Sequence, residues 1–157
     1  MKVQEKKLIN VSKIAKELSK HKTAVGFFSN ATYPDGTSVA EVAIYNEYGD
    51  PTRGRLPRSF MRNAIAKNKK DWEKILSHYI AESFENGNTK KPFDIIGLKA
   101  QADIKTSIAE FETPALKLST IKQKIAKGQT AKPLEATKVM LDSVSYEVVN
   151  KWYLIIF

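Results

Sequence analysis

The sequence has no cysteine and only two histidines among its 157 residues. The missing cysteines exclude a disulfide framework, thiolate-held zinc, iron–sulfur clusters and a thiol nucleophile. His21 and His78 are too few for a histidine-rich metal centre. His78 and Glu82 sit four apart on one helical face, and two ligands make a poor zinc site, so no cofactor is expected. Long apolar runs are also missing. The longest, Trp152–Phe157, has six residues, against the ~20 that a membrane-spanning helix needs. Met1 to Lys20 shows no continuous apolar stretch of the kind a secretory leader carries. There is no G-x-x-x-x-G-K-[ST] phosphate loop, no G-x-S-x-G elbow and no H-E-x-x-H pair. No set of nucleophile, base and oxyanion donor converges, and the chain reads as a non-enzyme.

A hydrophobic content of 42% with 27% charged residues is that of a folded chain rather than a disordered one. Lysine and arginine number 26 against 17 acidic residues, a net charge of +9 that favours acidic partners. Apolar residues Val11, Ile14, Ala15 and Leu18 recur at helical spacing, predicting a helix from about Val11 to His21 with Asn10 or Ser12 as its cap. Thr23–Phe28 reads as a strand, and Tyr33-Pro34-Asp35-Gly36-Thr37 as a turn. Ser38 and Glu41 form a capping box for a second helix, whose Ala40, Ala43, Ile44, Glu47 and Tyr48 share a face and which stops at Gly49.

Asp50 to Pro57 is a loop poor in apolar anchors and expected to be mobile. A long helix follows over about 59–86, with Ile65, Trp72, Ile75, Leu76, Tyr79 and Ile80 inward and Gly87 at its end. Gly87 to Pro92 reads as a linker. Ile104, Ile108 and Phe111 give another helical stripe, and Ser119–Ala126 a short helix ended by Gly128. Leu134–Asp142 is a turn or short helix, and Ser143–Val149 alternates as a half-buried strand, with Lys151–Phe157 as its expected hairpin partner. The organisation expected is one α+β domain over 1–157, a small antiparallel sheet packed with several helices.

Two groups of charged residues are the candidates for function. Arg53, Arg55, Arg58 and Arg62 gather four guanidiniums within ten residues, suited to phosphate or carboxylate. Glu47, on the same helix face as Ile44 and Tyr48, needs a partner if buried, and Arg58 or Arg62 is nearest in sequence. A second basic stretch, Lys117 to Lys138, carries no RNA- or DNA-reading motif.

Two segments carry a family resemblance. The first runs from Val25-Gly26-Phe27 through the 33–37 turn and Val39–Gly49 to Leu56-Pro57-Arg58-Ser59-Phe60-Met61-Arg62. The second comprises Pro114–Ile121, Lys127-Gly128, Lys132-Pro133-Leu134 and Met140–Val148. Their order and spacing resemble the neck or tail-completion proteins of tailed phages and prophages, minor structural proteins of the head–tail junction, over residues 23–149. The chain departs from that pattern at Ser59, where members tend to have a second proline, and at Glu135–Lys138, where they carry Asp-Thr-Gly. The resemblance implies a small α+β subunit that forms rings, often hexamers, in the virion after residence in the host cytoplasm. Its partners would be other tail and connector proteins, with contact to genomic DNA and none to a membrane. It implies no catalytic residues. The alternative reading is a small basic module that binds nucleic acid without sequence preference.

Overall fold

The chain's architecture rests on a helical hairpin, seen in a computed structural model that describes residues 10–129, 131, 133–134 and 138–150. Helix α1 spans Val11–Leu18 and strand β1 Lys22–Phe27; α2 spans Val39–Tyr48, followed by a 3-10 turn at Pro51–Arg53. Helices α3 (Phe60–Asn86) and α4 (Lys91–Ala109) form the hairpin, and α5 (Leu118–Ala126), α6 (Val139–Asp142) and strand β2 (Val144–Val149) complete the order. The fold is α+β, with several helices and a two-stranded antiparallel sheet among the described residues.

Local chemistry accounts for most element ends. Asn10 caps α1 by accepting from Lys13 N–H at 3.0 Å, and Ser38 caps α2 by accepting from Glu41 N–H at 3.4 Å. α1 is three residues shorter than expected. His21 lies beyond it, with Nδ1 2.7 Å from Asn150 Oδ1 and Nε2 3.3 Å from Thr89 Oγ1, contacts that hold it at the entry to β1. Gly87 ends α3 in the left-handed region at φ 77°, as a C-terminal glycine does. The expected linker at 87–92 is instead the turn of the helical hairpin. α4 already starts at Lys91, and Pro92 occupies its first turn, where a missing N–H costs nothing. Buried Ser83 ties that turn down, its hydroxyl 2.8 Å from Asn88 O.

β1 and β2 pair antiparallel with Lys22 opposite Val149 and Phe27 opposite Val144. The expected pairing of β2 with Lys151–Phe157 lies outside the described residues. One face of the sheet lies on α4. Thr23 Oγ1 donates to Phe93 O at 2.8 Å, and Tyr146 packs so closely on Gly97 that a Cβ there would overlap its ring. The core joins Val39 and Ala43 of α2, Phe60 and Ala64 of α3, and Ile104 and Ile108 of α4 to Met140 and Val144.

Two inward assignments change. On α2 the buried line is Val39, Ala43 and Glu47, four residues apart, which leaves Ile44 and Tyr48 exposed on its flank. On α3 Ala64 faces the core and its neighbour Ile65 is exposed. Both exposed flanks open on the same side of the molecule, as described below.

Candidate functional site: the Glu47–Arg62 junction and the arginine loop

The end of α2, the 50–57 loop and the start of α3 form one structural unit. A helix N-terminus leaves backbone N–H groups without partners, and α3 has no side-chain cap of its own. Glu47, 6% exposed, supplies the acceptor from the neighbouring helix. Its carboxylate accepts from Met61 N–H at 2.9 Å and from Arg62 N–H at 3.1 Å. It also accepts from Arg62 Nε at 2.8 Å. Arg62 Nη2 then donates to the Glu47 carbonyl and to Ser59 Oγ, both at 2.7 Å, while its guanidinium carbon lies 5.0 Å from the centre of the Tyr48 ring. Of the two arginines considered for Glu47, the structure places Arg62 against it. A negative charge at a helix N-terminus is also favoured by the helix dipole.

The loop between the helices is more ordered than its composition suggests. Asp50 N–H donates to Arg55 O at 3.0 Å and Arg55 N–H to Asp50 O at 2.9 Å, pinching the segment shut. The Asp50 side chain caps the enclosed 3-10 turn by accepting from Thr52 Oγ1 at 2.5 Å and from Arg53 N–H at 3.3 Å. The Thr52 hydroxyl, then the Arg53 N–H and charge, hold the Asp50 carboxyl below the usual carboxylate range. Gly49 fits the junction because φ is 78° and a Cβ there would come within 2.7 Å of Arg55 O. The segment expected to be mobile is thus a hydrogen-bonded turn built on polar groups rather than apolar anchors.

The four arginines are separated into two roles. Arg62 is consumed by Glu47. Arg53 has only a loose pair with Asp50 at 3.6 Å. Arg55 takes part through its backbone, and its side chain is exposed. Arg58 anchors the loop's exit, its N–H donating to Asn46 O at 2.6 Å, yet its Nε is buried with no acceptor among the described residues. Burial lowers the Arg58 guanidinium below its ordinary value, and the like charge of Arg55 adds to this. Among the described residues the loop therefore holds positive charge, on Arg55 and Arg58, that no acidic side chain pairs.

No protein-family model matches the chain, and no curated protein or solved structure matches it.

The second basic stretch falls partly on α5, whose Leu118 and Ile125 are exposed and which buries no residue. Among the described residues no three His, Asp or Glu side chains group as metal ligands. Glu82, considered with His78, instead pairs with Lys91 at 2.7 Å. No helix is long and apolar enough to cross a membrane among the described residues.

The sequence reading missed an apolar groove of about 230 Å³ beside this junction, lined by β1 and by the flanks of α2 and α3. The exposed positions of Ile44, Tyr48 and Ile65 are its signal. At the sequence level all three are absorbed into inward faces.

Proposed function

We propose that the chain is a structural virion protein of a tailed phage or prophage, a ring-forming subunit that acts in tail completion or head–tail joining. One observation carries this reading: two of the pieces that bear the resemblance, Val39–Gly49 and Leu56–Arg62, close the junction on either side of the arginine turn. Val25–Phe27 lies in β1, Val39–Gly49 contributes Glu47 and the loop's hinge, Leu56–Arg62 supplies Arg58 and Arg62, and Met140–Val148 supplies the strand paired with β1. Between Gly49 and Leu56, the residues Asp50–Arg55 form a hydrogen-bonded turn that displays Arg53 and Arg55, with Arg58 half-buried at its exit. A turn held by polar bonds and rich in unneutralised charge suits a contact between subunits or with an acidic surface more than catalysis.

In a closed ring the same turn from each subunit gathers on one surface. The converging guanidiniums then require carboxylates of a connector or tail neighbour, or phosphates of the packaged genome. The reading is tested by the composition of purified particles from the encoding phage, with gold-labelled antibody locating the chain. It requires the chain at the neck or tail in fixed copy number.

The unneutralised Arg58 and its neighbours also favour the second reading, a basic module for generic nucleic acid. That reading requires binding to unrelated duplexes at physiological salt, with log affinity falling steeply against log salt. Absence of the chain from particles together with such binding would replace the first reading by the second.

A further inference from the structure

The groove beside β1 runs along a strand edge that no other described residue pairs with. Residues Ala24 to Phe28 all line it in succession, although side chains of a strand alternate between faces. Consecutive residues share a groove only along the strand's edge, here the edge opposite β2. In an antiparallel pair every second residue directs its N–H and C=O away from the partner strand. Apart from Phe28 O, which accepts from Ala31 N–H at 3.2 Å, Thr23–Phe28 makes no backbone bond outside the β1–β2 pair among the described residues. The opposite wall carries Ile44 (44% exposed), Tyr48 (56%) and Ile65 (42%), three large apolar side chains on one concavity. Apolar exposure concentrated in this way marks a contact site, where scattered exposure does not.

The chain itself contains a segment of matching chemistry. Trp152-Tyr153-Leu154-Ile155-Ile156-Phe157 is aromatic and aliphatic at every position, carries no charge and follows directly on the β2 region. Both faces of such a strand are apolar, so it gains from burial on each side.

The connection argues for a second copy. Val149 stands opposite Lys22 on the β2 side, and Asn150 is held at His21, so the chain leaves the sheet at the start of β1. Its own groove lies across β1, about 10 Å away at two strand spacings, and crossing past His21 at ~3.3 Å per residue uses about three residues. After that crossing it could enter only parallel to β1. A segment from another subunit has no such limit and can add in the more stable antiparallel sense.

We propose that this groove is the docking site for Trp152–Phe157 of a second copy of the chain, which adds as a strand to the open edge of β1. The proposal is independent of the virion reading, since a self-associating chain of any function could use it.

The absence of cysteine makes the test specific. Full-length Ile44→Cys and full-length Leu154→Cys are mixed under mild oxidation, and the mixed disulfide dimer is quantified. The control mixture replaces Ile44→Cys by Leu98→Cys, an exposed position on α4 outside the groove. Docking predicts a mixed dimer forming at least about tenfold faster than the control, through raised local concentration. It also predicts that Ile44→Glu, if its circular dichroism matches the parent, lowers self-association measured by light scattering. Equal rates in both mixtures would overturn the proposal, as would unchanged self-association of folded Ile44→Glu. So would a chain bearing both cysteines that closes within itself at dilutions where no dimer forms, which would assign the groove to its own segment.

Discussion

Glu47 and Arg62 are joined twice over: the carboxylate accepts from the arginine's side chain at 2.8 Å and from its backbone N–H at 3.1 Å. One acidic side chain thereby neutralises a cation, caps α3 and fixes the angle between α2 and α3. The loop between those helices inherits its position from this contact.

Removal of the Glu47 carboxylate should cost more than loss of a surface ion pair. Glu47→Ala leaves the Met61 and Arg62 N–H groups without their acceptor, so a destabilisation of about 1–3 kcal/mol is expected in urea unfolding. Glu47→Gln keeps one acceptor oxygen and should lose less. Melting of Glu47→Ala within error of the parent would show that the carboxylate contributes nothing to the junction.

Acid should loosen the arginine loop before the helical hairpin. The Asp50 carboxyl is held below its ordinary value by the Thr52 hydroxyl and by Arg53. A carboxyl with a depressed folded pKa contributes stability that is complete above its unfolded value and fades as pH falls through the folded one. Amide exchange at Arg53 and Arg55 should therefore accelerate, relative to α4, as pH drops below the ordinary aspartate range near 4. Asp50→Asn should remove that pH dependence while the α4 amides stay unaffected.

The seam between sheet and helix depends on position 97. Gly97→Ala places a methyl group in the Tyr146 ring, with an expected loss of about 1–3 kcal/mol from overpacking. Truncation of the ring by Tyr146→Ala in the same chain should recover part of the loss, a coupling that a double-mutant cycle measures. Additive losses would mean that the two positions do not meet.

Much of this organisation is legible in the sequence because it is local. Asn10, Ser38, Gly49 and Gly87 mark element ends through their own hydrogen bonds or φ angles. The alternation of Val144, Tyr146 and Val148 marks the strand. The need of Glu47 for an arginine is legible too, but the choice of Arg62 over Arg58 depends on how α2 crosses α3. Pro92 is ambiguous in the sequence, since a proline after Gly87-Asn88-Thr89 suits a linker and a first helical turn equally well. The pairing of β1 with β2 joins residues more than a hundred positions apart, which no local pattern encodes. The groove is not legible in the sequence, because helical periodicity identifies an apolar stripe without saying which part of it is covered.

The arginine loop should matter for assembly and little for the fold. Arg53 is 68% exposed along its side chain and only loosely paired, so Arg53→Ala with Arg55→Ala should stay within about 0.5 kcal/mol of the parent. In a complementation assay the same double variant should sharply reduce infectious particles. Normal particle yield, or a collapse of subunit stability, would remove the loop from the assembly role.

The proposed role in joining is tested most directly in an extract from cells in which the phage proposed to encode the chain lacks this gene. The account predicts filled heads and finished tails that remain separate under the electron microscope, with joined infectious particles restored by adding the purified chain. Joined, infectious particles forming without the chain would contradict it.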